Sequence, residues 1–262
     1  MNTFQLTRKE MAFLLLSLKG WITKSPLSVL QEAWMQSGDR GSRSDSGPDA
    51  AKIGTLPPIF EKIIKMNKPD RGFSLNEIAA LGNQIEYTNF SVTALQNWIK
   101  RDMKEMIGSP QKGKKYSLEQ TALLFIVEDL KTALDFESIR QLFKLIINDP
   151  DDQKDDLINP IHLYSCYSSL FEEINEQPLV EKRLPNEGTI ETIERFIKYK
   201  ADKMVLDHFQ LDEEKRKTIK NIIIIAVLSV HTAYFHMLAK RSLSAALFLQ
   251  NFPFLESNEL QK

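Results

Sequence analysis

Between Phe73 and Tyr116 the chain reads FSLNEIAALGNQIEYTNFSVTALQNWIKRDMKEMIGSPQKGKKY, and this stretch restricts the fold more than any other. Leu75, Ile78 and Ala79 stand at i, i+3 and i+4, the spacing of one apolar stripe on a first helix. Ser91 then stands where a cap is needed for a second helix. In that helix Val92, Leu95 and Ile99 face inward with Trp98 beside them, and Thr93, Gln96, Asn97, Lys100 and Arg101 are left to point outward. Amides and hydroxyls can read base edges in a major groove while cations neutralise phosphates. The outward set has that chemistry.

The segment after the second helix adds charge. Lys112, Lys114 and Lys115 surround Gly113 and lead to Tyr116, predicting a tight exposed turn that carries three ammonium groups and a phenol. From Trp98 to Tyr116 six cations stand against two anions, in a chain whose net charge is −1. Positive charge concentrated on a near-neutral chain points to a polyanionic partner.

FSLNEIAAL, SVTALQNWIKR and KGKKYSLEQTALLFIVEDLKTALDFESIRQLF together resemble the DNA-binding head of MerR-type winged helix-turn-helix regulators. More closely, GNQIEYTNFSVTALQNWIKRD and GSPQKGKKYSLEQTALLFIVEDL are similar to a bacterial domain-of-unknown-function family built on that head. The resemblance spans residues 57 to 150. It implies an all-α protein with a small β-wing, a MerR-like winged helix-turn-helix head followed by a C-terminal helical domain. It also implies DNA contact by Ser91, Thr93, Gln96, Asn97, Lys100 and Arg101 and by the wing residues Lys112, Lys114, Lys115 and Tyr116. Two features depart from the MerR pattern. The connection GNQIEYTNF is longer than the usual three- or four-residue turn, and Gln96, Asn97 and Lys100 replace an arginine-rich face.

Around this head the sequence divides into segments. Residues 1–35 hold two N-terminal helices, one opened by the Thr7–Glu10 capping box with Met11, Leu14, Leu15 and Leu18 in its stripe, the other by Ser25-Pro26 with Leu27, Leu30 and Trp34. Residues 36–56, rich in Gly, Ser and Asp, read as a linker. The head occupies 57–148, beginning with a short helix of Ile59, Phe60, Ile63 and Ile64. It closes with helices capped by Ser117 and Asp135. An acidic linker follows at 149–158. Its aspartates lack the sixth-position glycine and twelfth-position glutamate of a calcium loop. Residues 159–262 form a helical domain for dimerisation or sensing, with starts at Asn159-Pro160, Thr189 and Asp212.

The last helix contains the most apolar run, from Ile222 to Ala239, close to the ~20 residues that cross a bilayer. Ser229, His231, Thr232, Tyr234 and His236 interrupt it, so a bundle or dimer helix is expected and a membrane span is not. Its β-branched start, Ile222 to Ile225, has no other strand to pair with.

Other chemistry is thin. The single cysteine, Cys166, forbids an internal disulfide, and with His162, His208, His231 and His236 it makes a poor metal inventory. His231 and His236 are about 140° apart on a helix and form no metal pair. No nucleophile elbow, phosphate loop or zinc motif is present. The start of the chain, with no charged residue in Met1 to Gln5, predicts no secretory leader. The expectation is therefore a cytoplasmic, non-enzymatic transcription regulator without metal or cofactor. It would bind double-stranded DNA as a homodimer, with an unknown small-molecule effector open. The rival readings are a protein-protein interaction module that keeps the fold, and a membrane-tethered regulator using the last helix.

Overall fold

A computed structural model describes residues 4–41, 56–65, 72–148, 155–176, 184 and 187–251. The described residues are mostly helical and contain no strand longer than a single bridge. The expected β-wing is accordingly reduced to bridges between Lys112 and Lys115 and between Phe73 and Tyr116. A further parallel bridge joins Leu6 to Ile85 and ties the N-terminus to the helix connection ahead of Ser91.

Local caps explain most helix starts. Thr7 and Glu10 form a reciprocal box at the head of α1 (Arg8–Lys19), which ends on Gly20 in the left-handed region. α2 (Pro26–Gly41) begins where Ser25 accepts from the Ser28 amide. It runs further than the sequence suggested, through the first residues of the expected linker. Residues 42–55 of that linker lie outside the described residues. α3 (Pro58–Ile64), α4 (Leu75–Gly82) and α5 (Val92–Asn97) follow, the second opened by a Ser74–Glu77 box and the third by Ser91.

The second head helix is not one continuous α-helix. After α5 the chain widens into a π-turn, Trp98–Asp102, closed by a Met103 N–H donating to the Trp98 carbonyl, and then makes the short α6 (Lys104–Ile107). Trp98 is 4% exposed and Met103 is fully buried. Five α-helical residues would put these two about 140° apart, whereas an i to i+5 bond returns both to the core side.

α7 (Leu118–Leu130) is buried on every side, and α8 (Phe136–Lys144) starts on Asp135. α9 (Pro160–Glu176), α10 (Thr189–His208) and the long α11 (Glu213–Asn251) complete the chain. α7 packs against α1, α9 and α11, while α10 lies on α9 and α11. Buried apolar residues from 1–35, 57–148 and 159–262 join in one core. The acidic run is described only from Asp155, where Leu157 N–H donates to the Ile146 carbonyl and Ile158 is buried.

α11 differs from a helix buried all round. Ile219, Ile222, Ile223, Ala226, Val227 and Val230 are in the core, but everything from Ala239 to Phe248 is exposed.

Gly82 sets how closely α4 approaches the following segment. A Cβ there would stand 2.4 Å from the ring of Phe90, whose backbone is held by two hydrogen bonds with the Asn83 amide and whose ring packs edge-on against Phe125. Alanine would gain up to about 1 kcal/mol of helix propensity against an overpacking cost of about 1–3 kcal/mol. Gly82→Ala should therefore destabilise by about 1–2 kcal/mol, read as a lower urea midpoint at unchanged slope. A midpoint at or above wild type would mean that Phe90 moves aside freely.

Candidate nucleic-acid interface

Leu95 and Trp98 anchor α5 and the π-turn from below, and this leaves Thr93, Gln96, Asn97 and Lys100 exposed. Ser91 is also exposed, but its hydroxyl accepts from the Ala94 N–H at 3.1 Å and so is engaged as a cap. Arg101 stands in solvent with its guanidinium on the neighbouring Asp102 carboxylate at 2.7 Å. Arg140 holds the end of the π-turn by donating to the Asp102 carbonyl.

The lysine turn is built differently from its sequence expectation. Gly113 adopts φ +69, and Lys112 and Lys115 exchange backbone hydrogen bonds of 2.9 and 3.2 Å across it. Lys112 and Lys114 are exposed. Lys115 instead points back to α4, 3.1 Å from Glu77. Tyr116 is 8% exposed as a whole and paired through its backbone with Phe73, so most of its ring lies against the fold. The hydrophobic course of the ring, and the pairing partner far back in sequence, draw it inward.

Glu77 and Gln120 organise the surroundings. Burial alone would raise the Glu77 carboxyl, but Lys62, the Ser74 amide and hydroxyl, and Lys115 hold it down at about 2. The stabilisation it contributes is thus present above the ordinary value of 4.5 and is lost as pH falls toward 2. Gln120, the partner of Ser117 in its capping box, also donates to the carbonyls of Ile107 and Ser109, both at 2.7 Å. One buried amide thereby fixes the base of the lysine turn to α7. Glu77 and Gln120 are each the third residue of a capping box, a signal that marks them as helix starters and is silent on these longer contacts. α4 thus carries both candidate elements, the turn through Glu77 and the α5 segment through the Gly82–Phe90 contact.

Beneath the head lies a charged core. Arg8 donates to Asp129 at 2.9 Å, each side chain being 3% exposed, and its guanidinium also reaches the Glu86 carbonyl. Tyr167 donates its hydroxyl to the second Asp129 oxygen at 2.7 Å.

The remaining polar candidates are structural. Burial pushes the Cys166 thiol up to about 12, and His162 stacks on Trp21 rather than pairing with it. His231 lies against Phe171. Among the described residues no cluster of three metal-ligating side chains occurs. α11 has one stretch long and apolar enough to cross a membrane, of which 39% is buried within the fold.

Residues 67–169 match the model of the Domain of unknown function (DUF1836). The chain is 36% identical over 239 residues to the uncharacterized protein YkrK of Bacillus subtilis (strain 168), an alignment that covers 91% of this chain and 96% of that protein. No solved structure matches it.

Proposed function

We propose that this chain, which belongs to the family of YkrK and matches a domain of unknown function over residues 67–169, binds duplex DNA sequence-specifically as a cytoplasmic transcription regulator. The observation that carries this reading is the exposed row of Thr93, Gln96, Asn97 and Lys100 on a short helical element whose other side is locked into the core at Leu95 and Trp98. In this reading α4 and α5 act as a MerR-like helix-turn-helix pair. Amides and the hydroxyl probe base edges, and Lys100, Arg101, Lys112 and Lys114 hold phosphates. The test is selection of a random duplex pool on purified protein at about 150 mM salt, where non-specific phosphate binding is weak. Enrichment of one sequence supports the reading. A folded, soluble protein that enriches none turns it toward an interaction module.

One short helix reads few bases, so two heads are required for useful specificity. Exposed Phe235, Leu243, Leu247 and Phe248 on the distal part of α11 support a homodimer formed through that arm. The pair Leu243→Glu and Leu247→Glu should convert a dimer to a monomer in sedimentation equilibrium and weaken DNA binding. A dimer that persists would place the interface elsewhere. The same apolar arm favours membrane attachment as the second reading, in which wild-type protein partitions onto vesicles and the double variant does not.

A further inference from the structure

A cavity of about 670 Å³ opens where α11 passes the connection between α4 and α5. That volume falls in the ~300–1,000 Å³ range of small-molecule sites. Its deep wall includes the buried Arg8–Asp129 pair, and Glu128 with Lys131 at 2.9 Å forms a second matched pair beside it. Both pairs are internally neutralised. The charge left over comes from Lys240 and Arg241 of α11, which line the mouth and have no carboxylate partner among the described residues. Tyr87 lines the same cavity, a non-glycine residue at φ +62 whose ring packs edge-on against Tyr234 of α11 with centroids 4.8 Å apart. Backbone in the left-handed region is uncommon for a bulky side chain and clusters at ligand-holding positions. The mouth therefore combines two unmatched cations with an aromatic wall and the apolar side chain of Met237.

We propose that this cavity binds a small organic phosphate. The phosphate sits between Lys240 and Arg241, where an ammonium and a guanidinium supply charge-assisted donors. The organic part lies inward along Tyr87 and Met237. The matched pairs below make the floor polar without adding net charge, so an anion is drawn to the mouth and not into the core. The site is separate from the exposed α5 row and does not depend on DNA binding.

Phenyl phosphate and inorganic phosphate serve as probes, titrated calorimetrically at matched ionic strength into the full chain and into Lys240→Gln/Arg241→Gln. Both substituted positions are exposed, so the variant should melt as the wild type does. The expected result is one saturable phenyl phosphate site per chain, at least about ten-fold tighter than inorganic phosphate, and about ten-fold weaker in the variant. Absence of saturation up to about 10 mM phenyl phosphate, or equal affinity in wild type and variant, overturns the site. Equal affinity for the two probes overturns the assignment of the apolar wall. Loss of DNA selection with phosphate binding intact would count against the DNA reading alone.

Discussion

Replacing Asp129 by alanine is expected to remove about 3–5 kcal/mol of stability, because a buried ion pair broken on one side leaves the other charge without compensation. Arg8 is 3% exposed; burial would lower the tendency of its guanidinium to hold a proton, and Asp129 together with Tyr164 and Tyr167 turns the net effect upward. The carboxylate also accepts from Tyr167, so its loss strands two donors on two helices, α1 and α9, that converge on α7. The companion variant decides whether the network stabilises or only must be complete. Arg8→Met, Asp129→Leu and Tyr167→Phe together remove the ion pair and the hydroxyl bound to it, leaving the Glu86 carbonyl as the group that loses a donor, and such replacements of a whole buried pair are often neutral or stabilising. Urea denaturation should therefore place the single variant far below wild type and the triple variant near it. A loss under about 1 kcal/mol for Asp129→Ala, against that buried-pair range, would mean that Arg8 swings into the adjoining cavity and finds water.

That network also marks the boundary of what sequence reading reaches. Thr7 with Glu10, Ser25, Ser91, Ser117 with Gln120, Asp135 and Asn159 each announce a helix start, because a cap is written within three or four residues. Arg8 in the first turn of α1 carries no such local signal, since nothing near it predicts an aspartate at the far end of α7. The contacts of Lys115 and Tyr116 are out of reach for the same reason: Glu77 and Phe73, their partners, lie about forty residues earlier in the chain. The π-turn escapes periodicity because it exists to bury Trp98 and Met103 together, a requirement of packing that a regular helical repeat cannot express. In α11 composition gives the length of the helix but not which part is covered. Coverage ends where α7, α9 and α10 run out, and the apolar residues beyond stay in solvent. The outward row on α5 was legible because its inward neighbours, Leu95 and Trp98, define the opposite face.

Converting Gln96, Asn97 and Lys100 together to alanine should erase sequence preference while leaving the fold in place. Exposed substitutions of this kind usually change stability by no more than about 0.5 kcal/mol. Each amide that pairs bidentately with a base carries about 1–3 kcal/mol of discrimination, so losing two should remove about 2–6 kcal/mol between the selected duplex and a scrambled competitor. Lys100 contributes phosphate neutralisation, and its loss should also flatten the dependence of log affinity on log salt by about 0.9. The lysine turn gives the contrasting case. Lys112→Gln with Lys114→Gln should flatten the slope by up to about two charges, or ~1.8. Preference for the selected sequence should survive in that variant. The two variants thus separate reading from holding: one loses preference with most of its affinity for scrambled DNA retained, and the other weakens all duplexes alike. Preference that persists after the α5 substitutions moves base recognition off this helix, and an unchanged salt slope after the turn substitutions removes Lys112 and Lys114 from the phosphates.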